Sequence, residues 1–302
     1  SGWDENRYAE EIFNAKKKIG IPVIASINCY TDKGWVGYAK KMEEAGADAI
    51  EMNVSCPHGS ITFSGKDVEE AIYKTAALVR GSVKLPLIVK LSPQLTYPPE
   101  VVAKIEALGI NAVTMFNRMT GLEIDVKKEE PIMHGGYAGH GGSWAINYPL
   151  RWISGISPLV KIEISGSGGV FSPEDVVKYL LCGAKTVQIC STVVLNGYKS
   201  IRKLNDGLLK FMQDKHYGSI DDFRGKITQR IKDSDAIDRS QKVAAEIDTS
   251  KCNKCGKCKD VCIYFAVDKS AEAFGIDKTK CCGCGLCAET CKQRCINMTG
   301  IA

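Results

Sequence analysis

Cysteines dominate the end of this chain of 302 residues: of its 14 cysteines, ten fall between Cys252 and Cys295. The spacing C-x2-C-x2-C-x3-C occurs twice, in Cys252, Cys255, Cys258 and Cys262 and again in Cys281, Cys284, Cys287 and Cys291. In this spacing three thiolates on a tight loop bind three irons of a cubane, and the fourth cysteine reaches across to the other cluster. We therefore expect two [4Fe–4S] clusters, with the ligands Cys252, Cys255, Cys258 and Cys291 for one and Cys281, Cys284, Cys287 and Cys262 for the other.

Structural zinc is the alternative use of these thiols, because zinc sites also contain CxxC pairs. Four cysteines at two-two-three spacing are hard to arrange as one tetrahedral site, so the spacing favours iron–sulfur clusters. Cys282 and Cys295 remain outside the pattern and are expected to be small buried residues.

The region before the cysteines, from Asp4 to about Lys226, alternates short Val/Ile-rich runs with longer amphipathic runs. This alternation is typical of βαβ units and a parallel sheet. The predicted strands are Pro22–Asn28, Ala47–Asn53, Pro86–Leu91, Ala112–Asn117, Val160–Ser165 and Thr186–Ser191. The predicted helices between them include Lys33–Ala45, Val68–Arg80, Pro99–Leu108 and Pro173–Leu181.

Polar and glycine-rich residues follow each predicted strand, which places function at the carboxyl ends of the strands, as in barrel enzymes. The composition turns polar and charged before the cysteines. We therefore expect a barrel domain over residues 1–226, a linker over 227–250 and a small α+β cluster domain over 251–302.

Several segments of the first domain resemble, in order, motifs of dihydropyrimidine dehydrogenases and class 1 dihydroorotate dehydrogenases. They are Asn53-Val54-Ser55-Cys56-Pro57-His58, Ile88-Val89-Lys90-Leu91-Ser92-Pro93, Phe116-Asn117, Tyr137-Ala138-Gly139-His140-Gly141-Gly142, Ser167-Gly168-Gly169-Val170 and Gln188-Ile189-Cys190-Ser191. The doubled cysteine motif resembles bacterial ferredoxins, which favours the dihydropyrimidine dehydrogenase branch of this family.

The resemblance implies an FMN-binding (β/α)8 barrel of the TIM type. The implied FMN-binding residues are Lys90, Gly142, Gly168, Gly169, Cys190 and Ser191. Asn53, Asn117 and Arg118 are the implied substrate-binding residues, and Cys56 is the implied general acid or base. On local sequence alone, Cys56 could equally be a small core cysteine, and the asparagines could be caps at the ends of strands.

Two departures from the family pattern affect this interpretation. Arg118 stands where the family usually has threonine or serine, so a carboxylate or a different ring could be admitted there. The sequence also begins at the helix that precedes what would be the third barrel strand. We therefore expect that the six strands do not close a barrel, and that an omitted N-terminal stretch or another chain completes it.

The expected activity is reduction or oxidation of the C=C bond of a pyrimidine-type ring, with electrons relayed by the clusters. The alternatives are a dihydroorotate dehydrogenase-like enzyme for another unsaturated acid, and a non-catalytic electron-transfer subunit. Because no G-x-G-x-x-G fingerprint occurs, we expect a separate subunit that binds FAD and NAD(P)H, or another electron-transfer protein, in an oligomer.

The composition limits the other classes of function. The net charge of +5 is spread over mixed-sign clusters without one basic block, which argues against nucleic-acid binding. No apolar run approaches the roughly 20 residues that cross a bilayer, so no membrane span is expected. The crowded thiols and the lack of a signal peptide point to a cytoplasmic, reducing setting.

Overall fold

The computed structural model describes residues 4–54, 64–132, 137–232, 234–236, 243–269 and 273–300. The chain divides into two units, with the boundary between Ile231 and Lys232.

The described residues of the first unit contain ten strands, and several of them are only two or three residues long. They are β1 (Ile24–Ile27), β2 (Ala49–Asn53), β3 (Leu87–Lys90), β4 (Ala112–Met115), β5 (Met119–Gly121), β6 (Ile124–Asp125), β7 (Glu130–Pro131), β8 (Ala138–His140), β9 (Glu163–Ser167) and β10 (Thr186–Gln188). Each of the predicted strands is present, although β9 begins later than the sequence pattern indicates.

The main sheet has 6 parallel strands in the order β1-β2-β3-β4-β9-β10. Within the described residues β1 and β10 are its free edges, so these strands form an open sheet, as predicted. The remaining short strands form two antiparallel pairs, β5 with β8 and β6 with β7. Both pairs are inserted between β4 and β9, at the carboxyl end of the sheet.

The helices of the first unit connect the parallel strands. They are α1 (Glu5–Lys18), α2 (Asp32–Glu44), α3 (Gly65–Arg80), α4 (Pro98–Ala107), α5 (Asn147–Ile156), α6 (Pro173–Leu181), α7 (Ser191–Asn196) and α8 (Lys199–Asp214), with 3-10 turns at Ser143–Ile146, Ile220–Asp222 and Thr228–Arg230. None of the helices in the described part of the chain has the length and apolar character that a bilayer span requires.

The start of α6 shows how the sequence sets a boundary. Ser172 precedes Pro173, and its hydroxyl accepts a hydrogen bond from the Asp175 backbone N–H at 3.3 Å, while the Asp175 carboxylate accepts one from the Ser172 N–H at 3.0 Å. This reciprocal capping box satisfies two N–H groups that the helix leaves unpaired. The predicted bounds of α6 are confirmed.

The apolar core lies between the sheet and the helices. The fully buried side chains include Ile50, Met52, Leu87, Leu91, Met115, Ile153, Ile156 and Ile164. Strand β2 is covered on both faces, since only its last residue is partly exposed, as is usual for strands of parallel sheets. The face of the sheet that points away from the helices carries polar side chains, and these belong to the candidate site.

The sheet is strongly curled. Strands β2 and β10 are separated by three strands, so in a flat sheet they would lie about 19 Å apart at roughly 4.8 Å per step. That gap is wider than two side chains can bridge, yet Gln188 Nε2 on β10 donates to Glu51 Oε2 on β2 at 2.5 Å. The strands therefore curve around a common interior, as in a partial barrel.

The second unit contains two antiparallel strand pairs and two short helices. They are β11 (Ala244–Ile247) paired with β14 (Ile296–Thr299), β12 (Val267–Lys269) paired with β13 (Phe274–Ile276), α9 (Lys257–Asp260) and α10 (Leu286–Thr290); a 3-10 turn covers Ser234–Ala236. Strand β11 lies inside the stretch 227–250 that the composition predicts as a linker, because its residues complete the sheet with β14.

An internal repeat with an offset of 29 positions organises this unit. The repeat relates Cys252 to Cys281, and its two halves contain the same backbone turns. The φ angle is positive at Gly256 (80°) and at Gly285 (79°), which precede α9 and α10. Phe265 (50°) and Arg294 (47°) form another equivalent pair. The repeat therefore presents two nearly identical loops.

Gly166→Ala tests the packing of β9 on α6. A Cβ at Gly166 would lie 2.2 Å from Cδ1 of Tyr179, which is fully buried. Because the Tyr179 ring would have to move, we expect the free energy of unfolding to fall by about 1–3 kcal/mol. Gly155→Ala is the control: the site is open and lies in α5, so stability should rise by about 0.5–1 kcal/mol. Urea-induced unfolding of both variants measures this, and equal stability of Gly166→Ala and wild type would contradict it.

Candidate active site and cluster sites

A cavity of about 650 Å³ lies at the carboxyl ends of β3, β4, β9 and β10. Its lining comes from the segments that follow these strands: Lys90, Pro93, Phe116, Asn117, Arg118, Met119, Ser167, Gly168, Gly169, Val170, Phe171, Gln188, Ile189, Cys190 and Ser191. The wall is completed by the end of β8, the glycine loop (Gly141 and Gly142), the 3-10 turn before α5, and helices α5 and α7. These elements contribute His140, Gly141, Gly142, Ala145, Tyr148, Pro149, Val194 and Leu195.

The cavity brings together most of the barrel residues that the sequence singles out. Lining residues are Lys90, Asn117, Arg118, Gly142, Gly168, Gly169, Cys190 and Ser191. Asn53 is joined to this group by a hydrogen bond, because Asn117 Nδ2 donates to Asn53 Oδ1 at 3.1 Å. Cys56 lies outside the described residues.

Two consecutive glycines after β9 form a turn that only glycine adopts easily. Gly168 has φ of 110° and Gly169 has φ of 72°, and a Cβ on Gly169 would lie 2.5 Å from the Ile146 backbone nitrogen. Tyr179 fixes this turn from below, since its hydroxyl donates to the Gly168 carbonyl at 2.6 Å. The turn therefore presents bare backbone to the cavity.

The turn after β10 meets the glycine loop across the cavity. A Cβ placed on Gly141 would lie 3.7 Å from Ser191 Oγ, so the two segments are in near contact. The Thr192 hydroxyl donates to the Val170 carbonyl and ties the start of α7 to the turn after β9. Hydroxyl and backbone N–H groups of these turns are the kind of donors that bind a phosphate.

A chain of amides connects the ends of three strands. Asn28 Nδ2 donates to the Asn53 carbonyl at 2.7 Å, and the Arg118 backbone N–H donates to Asn117 Oδ1 at 2.9 Å. Together with the contact between Asn117 and Asn53, this fixes both site amides in orientation. Amides offer donors and acceptors side by side, as a ring with alternating N–H and C=O groups requires.

Arg118 extends from this amide chain across the hairpin of β5 and β8. A Cβ on Gly139 would lie 2.6 Å from Arg118 Nε, so the arginine packs directly on the glycine backbone. Its guanidinium has no ion pair within the described residues, and no Asp or Glu is among the described residues that line the cavity. The charged groups facing this space are therefore cationic, Lys90 and Arg118.

A buried carboxylate lies beneath the cavity. Glu51, whose side chain is 7% exposed, accepts four hydrogen bonds: from Ser26 Oγ (3.1 Å) and Lys90 Nζ (3.4 Å) on Oε1, and from Thr114 Oγ1 (2.9 Å) and Gln188 Nε2 (2.5 Å) on Oε2. Lys90 Nζ also donates to Gln188 Oε1 at 2.9 Å. Four bonds use the capacity of a carboxylate, and they orient Lys90 toward the cavity.

Sequence reasoning missed Glu51, Thr114 and the role of Gln188. The signal was present: a single acid inside the apolar strand Ala49–Asn53 implies a buried charge that must be paired. Sequence reasoning also assigned no role in the cavity wall to His140, which ends β8, or to Tyr148 in the first turn of α5, since single ring-bearing residues carry no spacing signal. Tyr148 is held by its hydroxyl, which donates to the Pro93 carbonyl at 2.6 Å.

In the second unit the cysteines surround two recesses. The first recess is lined by Cys252, Cys255, Cys258 and Cys291, and the second recess by Cys281, Cys284, Cys287 and Cys262. The thiols thus group in the two sets that the spacing predicts. Each recess takes three thiols from one half of the repeat and the fourth from the other half.

Backbone N–H groups point at several of these sulfurs. The Ala266 N–H donates to Cys262 Sγ at 3.3 Å, and the Ala245 N–H donates to Cys281 Sγ at 3.4 Å. Such bonds stabilise negative charge on sulfur, as thiolate ligands of a cluster require. Within the described residues, no group of three or more His, Cys, Asp or Glu side chains is close enough together to hold a single metal ion.

Each recess also contains one further thiol, Cys295 in the first and Cys282 in the second. Cys295 is buried, and burial, followed by the hydrogen bond with Cys291, raises its thiol pKa to about 12. Cys282 is exposed. The expectation of a buried residue is therefore confirmed for Cys295 and wrong for Cys282.

Comparison with known proteins places the first unit in context. The family model for dihydroorotate dehydrogenase matches residues 2–212. The NAD-dependent dihydropyrimidine dehydrogenase subunit PreA of Escherichia coli K12 is 30% identical over 251 residues, which cover 80% of this chain and 61% of that protein. This chain thus spans about three fifths of that relative, 61% of its length.

Two archaeal proteins are similar over a shorter part of the chain. Both are catalytic subunits of dihydroorotate dehydrogenase B (NAD(+)). The one from Methanothermobacter thermautotrophicus is 32% identical over 68% of this chain and 68% of that protein. The one from Pyrococcus abyssi is 29% identical over 74% of each.

Glu51→Gln tests the network beneath the cavity. Glutamine keeps the size of the side chain but removes the charge and turns one acceptor into a donor that faces other donors. We expect the free energy of unfolding to fall by about 1–3 kcal/mol in urea denaturation. Glu100→Gln is the control: it removes a carboxylate paired with Lys104 on the surface of α4 and should leave the unfolding midpoint unchanged. Equal effects of the two substitutions would contradict a supporting role for Glu51.

Proposed function

This chain belongs to the dihydroorotate dehydrogenase family, whose fold is a (β/α)8 barrel, and we propose that it is an FMN- and iron–sulfur-dependent oxidoreductase. Its proposed reaction is the reduction or oxidation of the C=C bond of a pyrimidine-type ring, as in dihydropyrimidine dehydrogenases. The observation that carries this proposal is the cavity in which Lys90, Asn117 and both strand-end turns meet.

FMN fits the donors of this cavity. Gly168, Gly169, Cys190 and Ser191 would hold the phosphate with backbone N–H groups and a hydroxyl, and Gly142 would border the cofactor. When bound, FMN exchanges a hydride with one carbon of the substrate double bond. Lys90 would stabilise the negative charge of the reduced flavin, and Glu51 and Gln188 keep its ammonium in place.

The substrate ring would bind to the amides of Asn53 and Asn117, which are already fixed relative to each other. Cys56 would give or take the proton at the carbon next to the one that exchanges the hydride. Proton and hydride together saturate the double bond, and their removal restores it. This assignment rests on the strand-end motif that contains Cys56.

The second unit would hold two [4Fe–4S] clusters in its two recesses, with the ligand sets that line them. Such clusters would supply one-electron transfer to and from an external donor or acceptor. We infer that this partner is a flavoprotein subunit with FAD and NAD(P)H or another electron-transfer protein. A reducing, cytoplasmic location suits the many thiols, since none of the described cysteines forms a disulfide bond.

A dihydroorotate dehydrogenase-like reaction on an unsaturated acid is the second candidate. It is favoured by Arg118, a guanidinium at a cavity whose described lining has no acidic residue. If the protein turned over dihydroorotate and not dihydrouracil, the dihydroorotate dehydrogenase-like function would replace the first candidate. A non-catalytic scaffold would contain iron and sulfide but no FMN, so cofactor analysis separates that alternative.

Substitution of single cysteines tests the cluster ligands. The protein, purified without oxygen, should contain about eight irons and eight acid-labile sulfides per chain, and Cys284→Ser should lower both to about four. Cys282→Ser is the matched control, since Cys282 is also exposed and lines the same recess but stands outside the ligand spacing. Zinc in place of iron, or equal iron loss in both variants, would overturn the ligand assignment.

Cys56→Ala tests the proton donor. Loss of one well-placed acid or base costs a factor of roughly 10²–10⁴ in turnover, while iron and flavin content should be unchanged. Cys29→Ala is the control, because burial raises the Cys29 pKa to about 11 and so disfavours the thiolate. Steady-state rates with dihydrouracil and dihydroorotate measure the effect; a Cys56→Ala rate equal to that of Cys29→Ala would show that the proton comes from elsewhere.

A further inference from the structure

The two recesses of the second unit are built from equivalent positions. Every residue that lines the first recess has a counterpart, 29 positions away, among the residues that line the second recess. Ile247 corresponds to Ile276, and Gly256 corresponds to Gly285. The unit therefore contains one backbone design twice, and differences in side chains between equivalent positions can be attributed to the individual site.

The main difference is charge. Five exposed cations lie beside the thiols of the first recess: Lys254, Lys257, Lys259, Lys292 and Arg294. Their counterparts are all uncharged: Gly283, Leu286, Ala288, Ile263 and Phe265. Lys257 and Leu286 line their respective recesses directly.

Nearby acids do not cancel this difference. Asp260 and Glu289 occupy equivalent positions, as do the pairs Lys251–Asp248 and Lys280–Asp277, which are linked at 3.0 and 3.2 Å. Within the described residues the five cations form no ion pair. They therefore project their charge into solvent around the first recess, whereas Ile263, Phe265 and Leu286 are 71%, 80% and 46% exposed beside the second.

We propose that the first recess is the docking point of an acidic one-electron carrier protein, and that electrons enter or leave this chain through the cluster at Cys252, Cys255, Cys258 and Cys291. Unpaired surface cations around a redox centre attract an acidic partner and raise the rate of productive encounter. The uncharged second recess lacks this attraction. The inference rests on the proposed function, because it requires the clusters.

Electron transfer to two small proteins of opposite charge tests the proposal. The full-length holoprotein is reduced photochemically and mixed in a stopped-flow instrument with oxidised rubredoxin, an acidic acceptor, or with oxidised cytochrome c, a basic one. Each transfer moves one electron from a reduced cluster to a ferric ion, which becomes ferrous; no bond forms or breaks. The rubredoxin rate should fall about tenfold as ionic strength rises from about 0.02 to about 0.3 M.

Two double variants locate the docking point. Lys254→Gln/Lys257→Gln should slow rubredoxin reduction several-fold at low salt and flatten its salt dependence, without slowing cytochrome c reduction. Lys232→Gln/Lys278→Gln removes the same charge from exposed positions of the same unit that line neither recess, and should leave both rates unchanged. The cytochrome c rate separates docking from a shift in cluster potential, which would change both acceptors alike.

Three results would overturn the proposal: a rubredoxin rate that does not depend on salt, equal slowing by both double variants, or equal slowing of both acceptors. The visible absorption of iron–sulfur clusters is recorded first. Its absence would overturn the proposed function and this inference together, whereas clusters that are present but react without charge dependence would overturn the docking proposal alone.

Discussion

The hydrogen-bonded carboxylate of Glu51 is the interaction on which the first unit depends. It lies on β2 and accepts bonds from side chains on β1, β3, β4 and β10, so it joins both edges of the curled sheet through its interior. A charge removed from water is tolerated only with such complete pairing. The same bonds aim Lys90 at the cavity, so the support of the sheet and the placement of the cation are one arrangement.

Above this network, the site is built from backbone as much as from side chains. Gly168 and Gly169 lie at positive φ, and Gly139 lies directly under Arg118, so each position excludes a side chain for a geometric reason. The strands end at this level and the turns that follow them line the cavity, which is the usual arrangement in barrels. The second unit follows the same logic, because left-handed glycines shape both cysteine loops.

Much of this organisation could be predicted from the sequence, and the rest could not for physical reasons. Strands and helices follow periodic burial, and Ser172 with Asp175 marks a helix start by local hydrogen bonding alone. The grouping of Cys262 with the loop of Cys281 follows from spacing, since ferredoxin-type motifs exchange their fourth ligand. By contrast, Gln188 meets Glu51 across 137 positions of sequence. Strand β11 likewise pairs with β14, which is the last described strand of the chain. Such contacts depend on tertiary curvature, which no local pattern encodes.

The exchange of thiols between the halves of the repeat has a consequence for biosynthesis. The recess that begins at Cys252 obtains its fourth sulfur from Cys291, in the other half of the repeat. During translation the nascent chain exposes three sulfurs of this recess well before the fourth leaves the ribosome. A cluster of the kind proposed for that recess would therefore be completed only after Cys291 has emerged, by which time the loop that begins at Cys281 has been synthesised as well.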